Sequence, residues 1–342
     1  MKLLIITQAV DTENPVLGFF VRWIEAFATR TESVEVICLT EGKHSLPANV
    51  RVHSLGKEKG VSRIRYLLNF YMYMWRLRRD YDTVFVHMNE EYILLGGELW
   101  RLWNKRVVLW RNHKRGSFLT RIAGFFAQGV YYTSPEAYVA RFRNAHTMPI
   151  GIDTNFFMPS ASVPPRDTIL FLGRLDPVKK VEVFIEALTN IALPFRANLY
   201  GSPTKSDSAY AKEVVVQAQP LVKKGILTLH QGIPHQRTRA LYQTHAIYVN
   251  ITPSGSFDKT IGEAMASGCV IVSSNTALRG TIHPALMVRD DDVADVARGI
   301  SAALSLSAQE RFAEAQNLRT YIEKNHSMER LMTDIYKTLE EK

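Results

Sequence analysis

Twice along the chain, apolar runs of strand length alternate with amphipathic runs of helical length, and this rhythm confines the fold more than any single motif. Such alternation builds parallel sheets with helices on both faces. The first series predicts strands at Leu3–Thr7, Val34–Leu39, Val50–Leu55, Thr83–His87, Arg106–Arg111, Val130–Thr133 and His146–Pro149, with helices near Phe19–Ala28, Ser62–Arg79, Glu91–Trp103, Leu119–Ala127 and Pro135–Arg141. The second predicts strands at Thr168–Leu172, Arg196–Tyr200, Ile226–His230, Ala246–Asn250, Val270–Ser273 and Leu286–Val288. Its helices fall near Val181–Ile191, Ala209–Val222, His235–Thr244, Thr260–Ala266, Val293–Leu304, Ala308–Asn325 and Glu329–Leu339. Between the two series, Gly151–Pro165 (GIDTNFFMPSASVPP) is rich in turn formers and prolines and reads as a linker. The expectation is an α/β protein of two doubly wound domains facing a central cleft: 1–150, then 166–325, with 326–342 as a terminal helix.

Composition narrows the setting. The 342 residues, 46% hydrophobic and 22% charged, are enough for two globular domains. Cys38 and Cys269 each sit inside an apolar run, which argues against a disulfide framework and for a reducing cytoplasm. Met1–Val10 reads as a first strand and not as a signal peptide, and no window nears the ~20 apolar residues of a membrane span. The net charge of +9 is concentrated: residues 1–150 hold 21 Lys and Arg against 13 Asp and Glu, the remainder 21 against 20. A basic field suits nucleic acid, an anionic membrane face or an anionic substrate. No zinc-finger or RNP-type motif is present, so nucleic acid is not the expected partner. Val61–Arg79 mixes Arg63, Arg65, Arg76, Arg78 and Arg79 with Tyr66, Phe70, Tyr71, Tyr73 and Trp75. That composition fits either peripheral contact with an anionic membrane or a core helix with a basic outer face.

Two segments carry the chemistry. In Phe171–Glu186 (FLGRLDPVKKVEVFIE) a strand delivers Gly173 and Arg174 to its end, and Lys179 and Lys180 follow across a Pro-containing turn that opens a helix. Cations and a fresh helix N-terminus at the carboxyl end of a strand favour a phosphate or diphosphate. In Ser254–Gly268 (SGSFDKTIGEAMASG) a strand is released by small residues, Asp258 or Thr260 caps a helix, and Glu263 lies one turn inside it. A carboxylate there suits the vicinal hydroxyls of a ribose.

GRLDPVKK, GIDTNFF, QGIPHQRTRALYQTHAIYVN and GEAMASGCVIVSSN together resemble the retaining family 4 glycosyltransferases of the GT-B fold, glycosyl transferases group 1, which pair two Rossmann-like domains. The resemblance implies that Arg174 and Lys179 grip the donor diphosphate and that Glu263, the second Glu of a Glu-(x)7-Glu motif, binds the ribose. It implies that Gly232 and Ile233 read the base, that Gly18 in NPVLGFF lets backbone approach the phosphates, and that His113 in LWRNHKRG lies near the transferred sugar. Gly173, Ser256, Phe257, Asp258, Lys259 and Thr260 complete the implied donor contacts, and the terminal helix crosses back to the first domain.

Two positions depart from the pattern. The first motif Glu would stand at Gly255, which leaves the sugar-orienting contact to a neighbour, with Asp258 the candidate; and Lys180 stands where the family has Gly. Arg289–Asp292 (RDDD) superficially matches a metal-binding Asp-x-Asp, but its place before a helical run reads as an N-cap. The resemblance implies no divalent metal and no cofactor, the nucleotide sugar being a substrate. It implies hexosyl transfer from a UDP- or GDP-sugar to a glycan or lipid-linked acceptor in polysaccharide or glycoconjugate synthesis. Gly255 leaves open a non-catalytic nucleotide- or glycan-binding protein, and the GT-B architecture that the resemblance implies also admits a nucleotide-sugar epimerase.

Overall fold

The computed structural model describes residues 1–203, 208–253 and 257–340. The chain divides into two compact units, one of Met1–Gly151, Pro234–Gln236 and Met328–Lys342, the other of Ile152–Ile233 and Arg237–Ser327.

The first unit runs β1 (Lys2–Val10), α1 (Phe19–Ala28), β2 (Ser33–Glu41), β3 (Val50–Ser54), α2 (Arg63–Arg76), β4 (Thr83–His87), α3 (Glu91–Leu102), β5 (Arg106–Trp110), α4 (Phe118–Phe126), β6 (Gly129–Tyr132) and β7 (Ala145–Thr147). Its strands pair in parallel in the order β3-β2-β1-β4-β5-β6-β7. Every residue from Leu3 to Ile6 is buried, as a parallel sheet covered on both faces requires. Leu3 and Ile5 face one core with Phe20, Trp23, Ile24 and Phe27 of α1. Leu4 and Ile6 face the other, with Phe70 and Met74 of α2, Ile93 and Trp100 of α3 and Ala123 of α4.

The second unit runs β8 (Thr168–Leu172), α5 (Val181–Thr189), β9 (Arg196–Tyr200), α6 (Ser208–Lys223), β10 (Leu227–His230), α7 (His235–Thr244), β11 (Ile247–Asn250), α8 (Lys259–Ala266), β12 (Val270–Ser273), α9 (Val293–Ser305) and α10 (Ala308–Asn325). Its parallel order is β10-β9-β8-β11-β12. The last helix, α11 (Met328–Glu340), buries Leu331, Met332, Ile335 and Leu339 in the α1 core of the first unit. Its C-terminal carbonyls at Thr338 and Leu339 accept hydrogen bonds from the Arg106 guanidinium at 2.6 and 2.8 Å, a charge at the helix end that favours a cation.

Three stretches differ from the sequence reading. Tyr138–Arg141 forms only a single 3-10 turn in place of a helix. Leu286–Val288, expected as a strand, follows a 3-10 turn at Pro284–Leu286 and meets β12 through one bridge between Met287 and Ser273; Pro284 has no N–H to give a ladder. Residues 152–158 of the expected linker are tied into the second unit: Ile152 bridges Ser327, Phe157 is buried, and Arg319 donates to the carbonyls of Thr154, Phe157 and Ala266. Arg289–Asp292 is a capping turn, with the Asp292 carboxylate accepting from Asp295 N–H at 2.9 Å and from the Arg289 guanidinium.

Lys180 adopts φ 53°, ψ 40° as the chain enters α5, a left-handed conformation that costs a side-chain-bearing residue about 1–2 kcal/mol and glycine almost nothing. Urea unfolding should find Lys180→Gly at least as stable as the wild type, whereas Lys180→Val, whose branched Cβ tolerates positive φ least, should lose about 1–2 kcal/mol. Equal stability of the Val and Lys proteins would contradict a left-handed Lys180.

Candidate functional site

In a doubly wound sheet, ligands sit outside the carboxyl ends of the strands where the winding reverses. In the second unit the chain leaves β8 toward β9 on one side and returns as β11 on the other, so the reversal lies between β8 and β11. The loop after β8 carries Gly173, Arg174 and Lys179, and the loop after β11 carries Thr252, Asp258, Lys259 and Thr260.

The two loops are joined by charge. The Lys179 ammonium donates to Asp258 Oδ2 at 2.5 Å and to Thr252 Oγ1 at 3.2 Å. Asn250, the last residue of β11, donates to the same Asp258 oxygen at 3.2 Å and to Thr260 Oγ1 at 3.4 Å. Burial pushes the Asp258 carboxyl up, but the Lys179 charge and hydrogen bonds from Lys179, Asn250 and Thr260 outweigh it and hold the group below the usual carboxylate range. Asp258 occupies the N-cap position of α8 without capping it, because its side chain is turned to Lys179. Arg174, half exposed, pairs with Asp176 at 3.1 Å; the second Asp176 oxygen is buried and makes no hydrogen bond.

Beyond Asp258 the first turn of α8 presents Lys259 and Thr260, whose N–H groups precede the start of helical pairing. Burial draws the Lys259 ammonium down to about 7, opposed by Glu263 one turn further on. Glu263 is 3% exposed and accepts a hydrogen bond from Tyr242 Oη at 3.2 Å. It is therefore a seated carboxylate and not a solvated one on the helix surface. Phe257 is buried with its ring edge-on to His326 at 5.1 Å, so its side chain anchors the loop. Gly255 and Ser256 lie outside the described residues.

On the other side of β8 the strand-end loops are stitched together. Gly173 N–H donates to Tyr200 O, Leu175 N–H to Ser202 O, and Gly232 N–H to Ser202 Oγ at 2.9 Å. A Cβ on Gly201 would lie 2.3 Å from the Gly173 carbonyl, so glycine there is what lets the loops after β8 and β9 touch. Gly232 is exposed and Ile233 half-buried at the end of this set.

In the first unit the reversal lies between β1 and β4. Gly18 closes the loop after β1, where a Cβ would stand 2.7 Å from Asn14 O. At the end of β4, His87 is buried, stacks on Phe20 at 3.9 Å and shares a 3.3 Å hydrogen bond with Thr7. His113 is exposed beyond β5, its Nδ1 engaged by the Arg115 backbone at 3.0 Å; Arg111, two residues earlier, pairs with the buried Glu90 at 2.6 Å. Sequence reasoning missed Asn250, Thr252, Gly201, Ser202 and His87. Asn250 and His87 share one legible signal, a polar residue closing an apolar strand run. Among the described residues no cluster of three or more His, Cys, Asp and Glu is arranged to hold a metal ion, and no helix is long and apolar enough to cross a membrane.

The sequence pattern of the glycosyl transferases group 1 matches residues 166–305, the unit that carries these loops, and that of the glycosyl transferase 4-like family matches residues 12–112. The chain is a group 1 glycosyl transferase. Its α/β two-domain fold is that of Anabaena HepE, solved with UDP (TM-score 0.78, 16% identity, 99% of each chain covered) and with UDP-glucose (0.76, 15%, 99% of each). Sucrose-phosphate synthase of Thermosynechococcus elongatus is equally similar (0.78, 18%, 99% of each). No curated protein matches this glycosyltransferase in sequence.

The contact between Phe257 and His326 has a pH signature. Burial lowers the His326 imidazole from its usual range to about 4, so the folded protein binds its proton less readily than the unfolded chain. The associated stability is complete above about pH 6.5 and is lost as pH falls toward 4. Unfolding free energies measured across that window should decline, and His326→Gln should remove about 2–3 kcal/mol of the decline. An unchanged slope in the variant would contradict a buried neutral imidazole.

Proposed function

We propose that this glycosyltransferase moves a hexose-type sugar, with retention, from a nucleoside diphosphate sugar to a hydroxyl of a glycan or lipid-linked acceptor. The observation that carries the reading is Lys179, held between Thr252 and Asp258 at the β8/β11 reversal with Arg174 and the N-terminus of α8 beside it. These are the groups that a leaving diphosphate needs. As the bond from the anomeric carbon to the diphosphate oxygen breaks, negative charge grows on that oxygen, and donors fixed in advance stabilise it more in the transition state than in the ground state. The acceptor oxygen forms its bond to the same face of the anomeric carbon, and its proton passes to the departing phosphate.

In this reading Glu263 takes the ribose hydroxyls, Gly232 and Ile233 flank the base, and Asp258 orients Lys179. Gly173, Thr260 and the backbone at Phe257 approach the phosphates. For Gly18 and His113 the assignment to the transferred sugar comes from the resemblance; His113 keeps Nε2, the ring nitrogen left over once Arg115 engages Nδ1. A uridine nucleotide is the favoured donor, supported by HepE, a protein of the same fold solved with UDP and UDP-glucose.

Steady-state transfer with a panel of nucleotide sugars and acceptors tests this. Arg174→Ala and Lys179→Ala should each lower kcat/KM by roughly 10²–10³ with the fold intact. Near-wild-type transfer by either protein would sink the diphosphate assignment, and tight nucleotide binding with background turnover on every acceptor would favour a binding protein.

Lys259 adds a pH test. Its ammonium is charged below about pH 7 and loses its proton above it, so affinity for a nucleotide sugar, whose diphosphate has no titrating proton near neutrality, should fall as pH rises through 7. Calorimetric titration should show that fall in the wild type and its absence in Lys259→Arg, which stays charged. A pH-independent wild-type affinity would remove Lys259 from the donor site.

A further inference from the structure

Helices α2, α3 and α4 cover one face of the first unit's sheet, and their outer surface is not built like one that faces water. In α2 only Phe70 and Met74 are buried, and the helix contains no acidic residue. Ile64, Leu68, Met72 and Trp75 recur at helical spacing on its other side, Ile64 73% and Trp75 58% exposed. On α4, Phe118 and Phe125 stand seven residues apart, both more than two-thirds exposed. The end of α3 links the two: Leu102 is 79% exposed, the Trp103 ring lies 5.8 Å from that of Trp75, and the Arg101 guanidinium lies 5.8 Å from the Phe125 ring. One apolar band therefore crosses three helices, and a contiguous exposed band of this kind marks an interaction surface.

The α2 and α4 sides of the band carry arginines. Arg63, Arg65, Arg76 and Arg79 are exposed along α2 and its exit, and Arg78 lies over the Trp75 ring at 4.4 Å. At the α4 end, Arg121, Arg141 and Arg143 line an open pocket of about 410 Å3 beside Phe125 and Phe142, with no carboxylate in its wall.

We propose that this face docks on an anionic phospholipid bilayer, with the aliphatic and aromatic side chains at the acyl boundary and Arg121, Arg141 and Arg143 receiving a lipid phosphate. An amphipathic surface with arginines beside Trp, Phe and Leu has the composition of an interfacial binder. A second copy of the chain fits less well, because a two-fold contact through this band would set the α2 arginines against one another. Nucleic acid has no use for the aliphatic stripe of Ile64, Leu68 and Met72. The proposal rests on the first unit alone and does not depend on the transfer reaction.

Flotation of the whole chain with phosphatidylcholine vesicles, with and without phosphatidylglycerol, tests it. Binding is expected to the anionic vesicles, at least about tenfold weaker to phosphatidylcholine alone, and reduced by salt. The doubly substituted Leu68→Glu, Met72→Glu protein should lose about tenfold or more. Arg121→Gln, Arg141→Gln and Arg143→Gln combined should lose about a hundredfold. All these positions are partly or fully exposed, so thermal unfolding should match the wild type, which separates lost docking from lost fold. No vesicle binding, equal binding to both compositions, a wild-type dimer in sedimentation that Leu68→Glu, Met72→Glu dissolves, or preferential binding to DNA or RNA would each overturn the proposal.

Discussion

A parallel sheet that winds outward in both directions from one strand must leave a gap above that strand, because the two connections depart to opposite sides. In the second unit β8 is that strand, and the gap above β8 and β11 collects Gly173, Arg174, Lys179, Thr252, Asp258 and the first turn of α8. None of these residues is near another in sequence except within its own loop. The reversal brings them together, so the chemistry of the site follows from topology before it follows from any side chain.

Electrostatics then decides what the gap can hold. A lysine ammonium set into a partly buried crevice needs a counter-charge, and in this chain the carboxylate of Asp258 supplies it. The pair is further tied by Thr252 and Asn250, which fixes the position of the ammonium. A diphosphate entering the gap offers Lys179 a second anionic partner, and Arg174 a partner other than Asp176. In the proposed transfer, donors already oriented in this way would leave little reorganisation when charge moves to the leaving group. Lys259 sits at the same helix start with an ammonium whose proton is held only weakly, so an incoming phosphate would strengthen that hold.

Much of this was legible in the sequence because it depends on local pattern. Strand length, helix period and the FLGRLDPVKK junction located β8, α5 and the cations between them. What escaped depends on distant partners. Nothing in SGSFDKT says that Asp258 turns from its cap position to Lys179, which is 79 residues away. Nor does the loop sequence say that the Phe257 ring packs edge-on against His326, 69 residues away. The strand expected at Leu286–Val288 had the right composition and the wrong neighbour, since Pro284 directly before it starts a 3-10 turn. Composition alone did not say which residues of the Arg-rich α2 face the core; burial separates Phe70 and Met74 from the exposed Ile64, Leu68, Met72 and Trp75.

The central claim is that the Lys179 ammonium above β8 and β11 binds the diphosphate of a nucleotide sugar. Thermal unfolding of the wild type and of Lys179→Ala, with a panel of UDP-, GDP- and ADP-sugars, tests it directly, because a ligand at a hundred times its Kd stabilises the protein it binds by about 2.7 kcal/mol. The account predicts that at least one nucleotide sugar raises the wild-type midpoint and leaves that of Lys179→Ala almost unmoved. An equal rise in both proteins, or no rise with any member of the panel, would contradict it.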